Sequence, residues 1–254
     1  MGVAPTSALS LSGVTKAFGG LRAVEDVSLE IQPGERRAII GPNGAGKTTL
    51  FSLISGEQAP TGGRIALFGR DVTRLPPHRR AALGLTRTYQ ITNLFPKLSV
   101  LDNCLLAVQA LSRVKLHLHR PLSHYPALFE RAEELLASVG LLAKRAAPVR
   151  DLSHGEQRQL EIALALAGAP RLLLLDEPTA GLALAESQMM TALLKGLDAA
   201  ITILIIEHDM AVAFELTDRV TVLHYGRVVA DGSAAQVRAN PLVQEIYLGT
   251  MGTV

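Results

Sequence analysis

Apolar and polar positions divide the chain into an α/β beginning, a helical middle and an α/β end. Leu172–Leu175 is a continuous apolar run, and Ile201–Ile206 is apolar except for Thr202. Runs of this length, bounded by turn residues, predict central strands of a parallel sheet, buried on both faces. Neither approaches the roughly 18 residues that a bilayer crossing needs. Helical spacing over Leu184–Leu197 and Met210–Leu216 alternates with these strands, and a strand at Arg219–Leu223 leads into a hairpin through Tyr225–Gly226. Strands alternating with helices predict right-handed crossovers and an α/β fold.

The beginning is richer in strands. Ala8–Val14 and Val27–Ile31 read as β-like stretches, the second closed by the Pro33–Gly34 turn. Arg36–Ile40 is a buried strand that runs into glycines. From Gly46 a helix starts, with Leu50, Phe51 and Ile54 on one face. Thr61–Gly63 is a turn before a strand at Arg64–Phe68. In the middle, Val100–Leu118 and Ala127–Val139 have helical spacing, separated by a loop carrying Pro121, His124 and Pro126. Ile91–Ala167 therefore reads as a mostly helical insertion.

Length and composition narrow the picture. The 254 residues fit one large domain, or one with a subdomain. Lys plus Arg number 25 and Asp plus Glu 23, interspersed, so the basic surplus of a nucleic-acid binder is missing. The start, MGVAPTSALSLSG, lacks the basic head and apolar stretch of a signal peptide. Cys104 is the only cysteine, which rules out an intrachain disulfide and fits a small apolar core residue.

Two motifs carry chemistry. Gly41-Pro42-Asn43-Gly44-Ala45-Gly46-Lys47-Thr48 satisfies G-x-x-x-x-G-K-[ST] between a predicted strand and a predicted helix. The glycines let backbone N–H groups close around phosphates, and the following helix presents its positive end. Lys47 reaches the β and γ phosphates, and Thr48 supplies a hydroxyl to Mg²⁺. The loop and Thr49 are thus the candidate nucleotide contacts. The second motif, Leu172–Pro178, is an apolar strand ending in Asp176 and Glu177. Asp176 suits the Mg²⁺ shell, and Glu177 suits polarisation of the attacking water.

Between these motifs lies Leu152-Ser-His-Gly-Glu-Gln157, which resembles the signature of ATP-binding-cassette (ABC) ATPases, with His154 where the family has glycine. The resemblance covers about Leu9 to Gly249. It implies a P-loop NTPase core with a mostly parallel sheet, an N-terminal antiparallel β subdomain and a helical subdomain. The single ABC ATPase domain would span 9–250, its core about 9–90 and 168–250 and its helical part about 91–167. By the same resemblance Phe18 stacks on adenine. Gln90 touches Mg²⁺ and relays contact with a membrane partner, and His208 meets the γ-phosphate. Ser153 and Gly155 serve an ATP held mostly by a second ABC ATPase subunit, in a homo- or heterodimer. Ala183 stands where the family has an acidic residue, in the loop where the two sites communicate. His117, His119, His124 and His224 have no comparable context and read as structural or solvated.

Within the family, Arg87–Asn103, Leu152–Ala167, Glu207–Met210 and Asn240–Gly249 resemble the ATPases of branched-chain amino-acid importers. The last stretch is shared with lipopolysaccharide-export ATPases. The resemblance implies ATP and Mg²⁺ as cofactors, two membrane permeases, an external binding protein, and a place on the cytoplasmic face of the bacterial inner membrane. Other readings are urea or amide uptake, lipopolysaccharide export, or a soluble ABC ATPase acting on DNA or ribosomes. Tandem cassettes, long coiled coils and basic surplus, which would favour the last, are missing. A non-hydrolysing regulatory cassette is disfavoured by Glu177 and His208.

Overall fold

The computed structural model describes residues 7–88, 94–112, 121 and 124–250, with 248–250 described by backbone only. The chain forms two compact units: Met1–Arg87 with Arg171–Glu177 and Lys195–Val254, and Thr88–Pro170 with Pro178–Leu194.

The first unit holds two sheets. β1 (Leu9–Phe18), β2 (Leu21–Ile31), β4 (Gly62–Leu67) and β5 (Arg70–Asp71) form an antiparallel sheet in the order β2-β1-β4-β5. β3 (Arg36–Ile40), β6 (Leu85–Arg87), β7 (Leu172–Asp176), β8 (Thr202–Ile206), β9 (Arg219–His224) and β10 (Arg227–Gly232) form the second, ordered β10-β9-β3-β8-β7-β6. Its pairs are parallel except β9 with β10. Every residue of β7 and β8 is buried, as their continuous apolar character requires. Helix α1 (Lys47–Ser55) contributes Leu50, Phe51 and Ile54 to a core shared with Ile39, Leu172, Leu174 and Ile206. Each such side chain contributes about 1.5–3 kcal/mol on burial.

The first two strands are longer than Ala8–Val14 and Val27–Ile31. Register shifts after Leu11 and Val14, with Gly13 at φ 59°, break the alternation, and Asp26 at φ 52° interrupts β2. The C-terminus of α1 is closed by a buried cation. Gly56 takes a left-handed conformation, and Arg80 of α2 (Pro77–Ala81) donates Nη1 to the Leu53 and Ile54 carbonyls at 2.6 and 2.8 Å. Burial pulls the Arg80 pKa down to about 10.

In the second unit, α3 (Val100–Leu111), α4 (Pro126–Ser138) and α5 (His154–Leu166) pack together. Cys104, Ala132, Leu136 and Leu160 are wholly buried, and burial pushes the Cys104 thiol up to about 11. α3 ends at Leu111, where the Ser112 amide and hydroxyl both turn back to the Gln109 carbonyl; residues 113–118 of the expected helix lie outside the described residues. Pro126, expected in a loop, opens α4 at its first turn, where its missing N–H costs nothing. α6 (Leu184–Lys195) begins in this unit. α7 (Met210–Leu216), α8 (Ala234–Arg238) and α9 (Pro241–Thr250) belong to the first. Among the described residues no helix is long and apolar enough to cross a membrane.

Candidate functional site

The phosphate-cradling motif forms the turn from β3 into α1. Gly41 has φ 153° and Gly46 φ 100°. A side chain at either would run into a backbone carbonyl, Leu223 and Ala23 respectively. Both positions therefore require glycine by conformation and by space. Gly46 is the N-cap of α1 and offers no side-chain cap, so the first N–H groups of the helix face outward without a local acceptor from that residue. Pro42 accepts from the Ala45 amide at 3.1 Å, and Ala45 accepts from the Gly226 amide at 3.0 Å, which pins the turn to the β9–β10 hairpin. Lys47 is buried, and its Nζ donates to the Gly41 and Pro42 carbonyls at 2.7 and 3.1 Å. Burial pulls its pKa down, while the charges of Glu177 and Asp176 act in the opposite direction. Asn43, Gly44 and Thr48 are exposed, and Thr49 is half-buried.

Two neighbouring acids leave β7 in different environments. Asp176 is 3% exposed, and its Oδ2 accepts from Arg87 Nη2 at 2.9 Å. Arg87 also donates Nη1 to Glu57 at 3.0 Å and to Ser52 of α1 at 3.2 Å. Burial pushes the Asp176 pKa up, and Arg87 opposes the rise. Glu177 adopts φ 50°, a sparsely populated conformation for a residue with a side chain, held by its amide's bond to the Ile206 carbonyl at 3.0 Å. That turn takes the carboxylate off the strand direction. His208, just past β8, places Nδ1 3.9 Å from Glu177 Oε2. Parallel pairing brings the two strand ends level, with Asp176 opposite Ile206. The structure thus gathers Lys47, Asp176, Glu177 and His208 as the sequence suggested.

Phe18 ends β1 with 48% of its surface exposed, and Lys16 Nζ lies 5.0 Å from its ring centroid. Gln90, His117 and His119 lie outside the described residues. His224 is half-buried beside Tyr225, with ring centroids 4.2 Å apart. Among the described residues no group of three or more His, Cys, Asp or Glu could hold a metal. Asp176 and the Thr48 hydroxyl still fit Mg²⁺, which accepts few protein oxygens when phosphates and water complete its shell.

In the second unit, Ser153 is the N-cap of α5, and its hydroxyl accepts from the Glu156 amide while the Glu156 carboxylate accepts from the Ser153 amide. Glu186 joins them: its Oε1 accepts from Ser153 Oγ at 3.0 Å and from the Gly155 amide at 3.2 Å. His154 is the first helical residue and packs against Gly181.

Three residues escaped the sequence reading. Arg87 gave no signal beyond its nearness to Gln90. Glu186 lies 33 residues from the serine it binds. Tyr247 of α9 packs against the core cluster that includes Ile40 and Val222, and burial pushes its hydroxyl up to about 12, with a backbone contact at Gly41 acting the other way.

Comparison with known proteins agrees with this arrangement. The ABC transporter family model matches residues 24–180, and a model for the branched-chain amino acid ATP-binding cassette transporter matches residues 227–252. The crystal structure of the ADP conformation of MJ1267, an ATP-binding cassette of an ABC transporter, aligns with a TM-score of 0.82 at 28% identity, covering 95% of this chain and 98% of that one. A dimeric post-hydrolysis state of the cassette MJ0796, bound to ADP and Pi, aligns with a TM-score of 0.75 at 28% identity, covering 89% and 98%. The chain belongs to the ABC transporter family and is one of its ATP-binding, ATP-hydrolysing cassettes. Its relatives narrow the class. The high-affinity branched-chain amino acid transport ATP-binding protein LivG of Escherichia coli K12 is 39% identical over 250 residues, 95% of this chain and 97% of LivG. BraF of Pseudomonas aeruginosa, with the same description, is 38% identical over 256 residues, 95% and 97% of the two chains. The lipopolysaccharide export protein LptB of Acidithiobacillus ferridurans is 37% identical over 242 residues, 95% and 96%.

Proposed function

We propose that this ATPase energises uptake of branched-chain or related amino acids from the cytoplasmic face of the inner membrane, with a second cassette, two permeases and an external binding protein. The match of residues 227–252 to the branched-chain cassette model, together with 39% and 38% identity to LivG and BraF across 95% of the chain, supports this reading.

ATP bridges two cassettes in this mechanism. The loop Gly41–Thr49 and the Lys47 ammonium hold the phosphates of one nucleotide, Phe18 stacks on its adenine, and Ser153 and Gly155 of the other cassette complete the site. Thr48, Asp176 and Gln90 would hold Mg²⁺, which would supply neutralisation of phosphate charge. Glu177 orients and deprotonates the attacking water. His208 steadies the γ-phosphate beside it. Loss of that phosphate removes the ligand shared by the two halves, and the pair reopens. The domain limits 9–250, with the helical part near 91–167, are the working boundaries for this division of labour.

Deleting the gene should abolish uptake of labelled leucine, isoleucine or valine at low concentration, and a tag on this chain should recover two permeases from membranes. Intact amino-acid uptake with a defect in lipopolysaccharide export would transfer the assignment to the LptB-like reading.

A further inference from the structure

Glu186 places a negative charge where the signature would meet a phosphate. One carboxylate oxygen accepts from the Ser153 hydroxyl at 3.0 Å and the Gly155 amide at 3.2 Å, and the other accepts from the Ala183 amide at 3.3 Å. Gly155 leaves room for this contact: a Cβ there would lie 2.8 Å from Glu186 Oε1 and 2.9 Å from its Cδ. The Ser153 hydroxyl, followed by the Ala183 and Gly155 amides, holds the carboxyl below the usual range.

The same two donors are assigned above to the ATP held by a partner cassette. A serine hydroxyl has one hydrogen and an amide has one, so neither serves two anions well. Two anions at hydrogen-bonding distance from shared donors also repel. We infer that Glu186 is the resting occupant of the signature's phosphate position, and that ATP-driven pairing of cassettes has to displace it. The inference rests on the reading of Ser153 and Gly155 as donors to a partner's nucleotide.

The exchange leaves the helix cap intact. Ser153 Oγ accepts from the Glu156 amide as it donates to Glu186, so only its hydrogen changes partner. The displaced carboxylate also has somewhere to go. A cleft of about 560 Å³ within the same unit is lined by Ser153, Gly155, Glu156 and Glu186, and by Lys144, which pairs with Glu156, and Gln159. Glu186 therefore acts through the signature, as a positioning residue that sets how much ATP is needed to close the pair.

The test uses the transporter complex isolated through a tag on this chain and carrying Glu177→Gln, so that bound ATP is retained. The readout is the ATP concentration giving half-maximal retention of labelled ATP. Adding Glu186→Gln or Glu186→Ala should lower that concentration about three- to tenfold, the scale of one lost charge-assisted competitor. ATP affinity of the separated chain, set by the phosphate loop, should stay unchanged. Gln keeps the shape and an acceptor oxygen, so a purely structural tie predicts that Gln behaves as Glu and only Ala differs. An unchanged or raised threshold in both variants overturns the inference, as does unfolding of both. If the Glu177→Gln parent itself retains no ATP at saturation, the trans reading of the signature fails instead.

Discussion

The first turns of α1 and α5 both offer positive helix ends, but the chain finishes them in opposite ways. At α1 the cap is Gly46, with no side-chain oxygen, and the neighbouring charge is the Lys47 ammonium. At α5 the cap is Ser153, with the carboxylates of Glu156 and Glu186 already on its donors. The first end is open to a substrate anion by construction. The second is satisfied within the chain and takes an outside anion only by exchange. The proposed mechanism draws from this difference a phosphate-binding half that works alone and a signature half that works on demand.

The largest effect expected on the α1 side comes from the buried ion pair behind it. Arg87→Ala removes the guanidinium that pairs with Asp176 at 2.9 Å, and both side chains are nearly inaccessible. Loss of one member of a buried pair costs about 3–5 kcal/mol, readable by denaturant unfolding. The pH dependence gives a second check. Burial already holds the folded pKa of Asp176 above its usual value, with Arg87 opposing. A carboxyl raised in the folded state loses stability as pH climbs from its unfolded value through its folded one. Removing Arg87 lifts the folded value further, so the deficit should be smallest in acid and grow as pH rises.

Lys47→Ala comes next. It removes a charged donor from the phosphates and should weaken ATP binding to the separated chain about 10- to 100-fold, measured by nucleotide titration. Ser153→Ala should be the mildest in the separated chain. It should cost about 1 kcal/mol of stability through the lost cap and leave ATP affinity unchanged, because the nucleotide half lies elsewhere. A large loss of ATP affinity in Ser153→Ala would erase the contrast between the two helix ends.

The sequence made the α1 half legible because its chemistry is local. Gly41, Gly46 and Lys47 are adjacent, and the strand before Asp176 announces itself by four leucines. Helix Met210–Leu216 has the bounds that its spacing predicted. The α5 half was legible only as a resemblance, since Glu186 reaches Ser153 through the fold. β6 was missed because three residues show no alternation, and α8 because five residues are too short for a helical face. The Ser233–Gln236 capping box was its available signal. Arg80 was invisible for another reason: arginine usually lies at the surface, and here its guanidinium closes a helix end. Its task depends on where α1 stops, which spacing alone does not settle.

The measurement that tests the account most directly is ATP hydrolysis by the transporter complex carrying Glu177→Gln. ATP should still bind and be retained in the closed pair, while turnover falls about 10²- to 10⁴-fold through loss of the base. Turnover within a few-fold of wild type, at equal ATP occupancy, would contradict it.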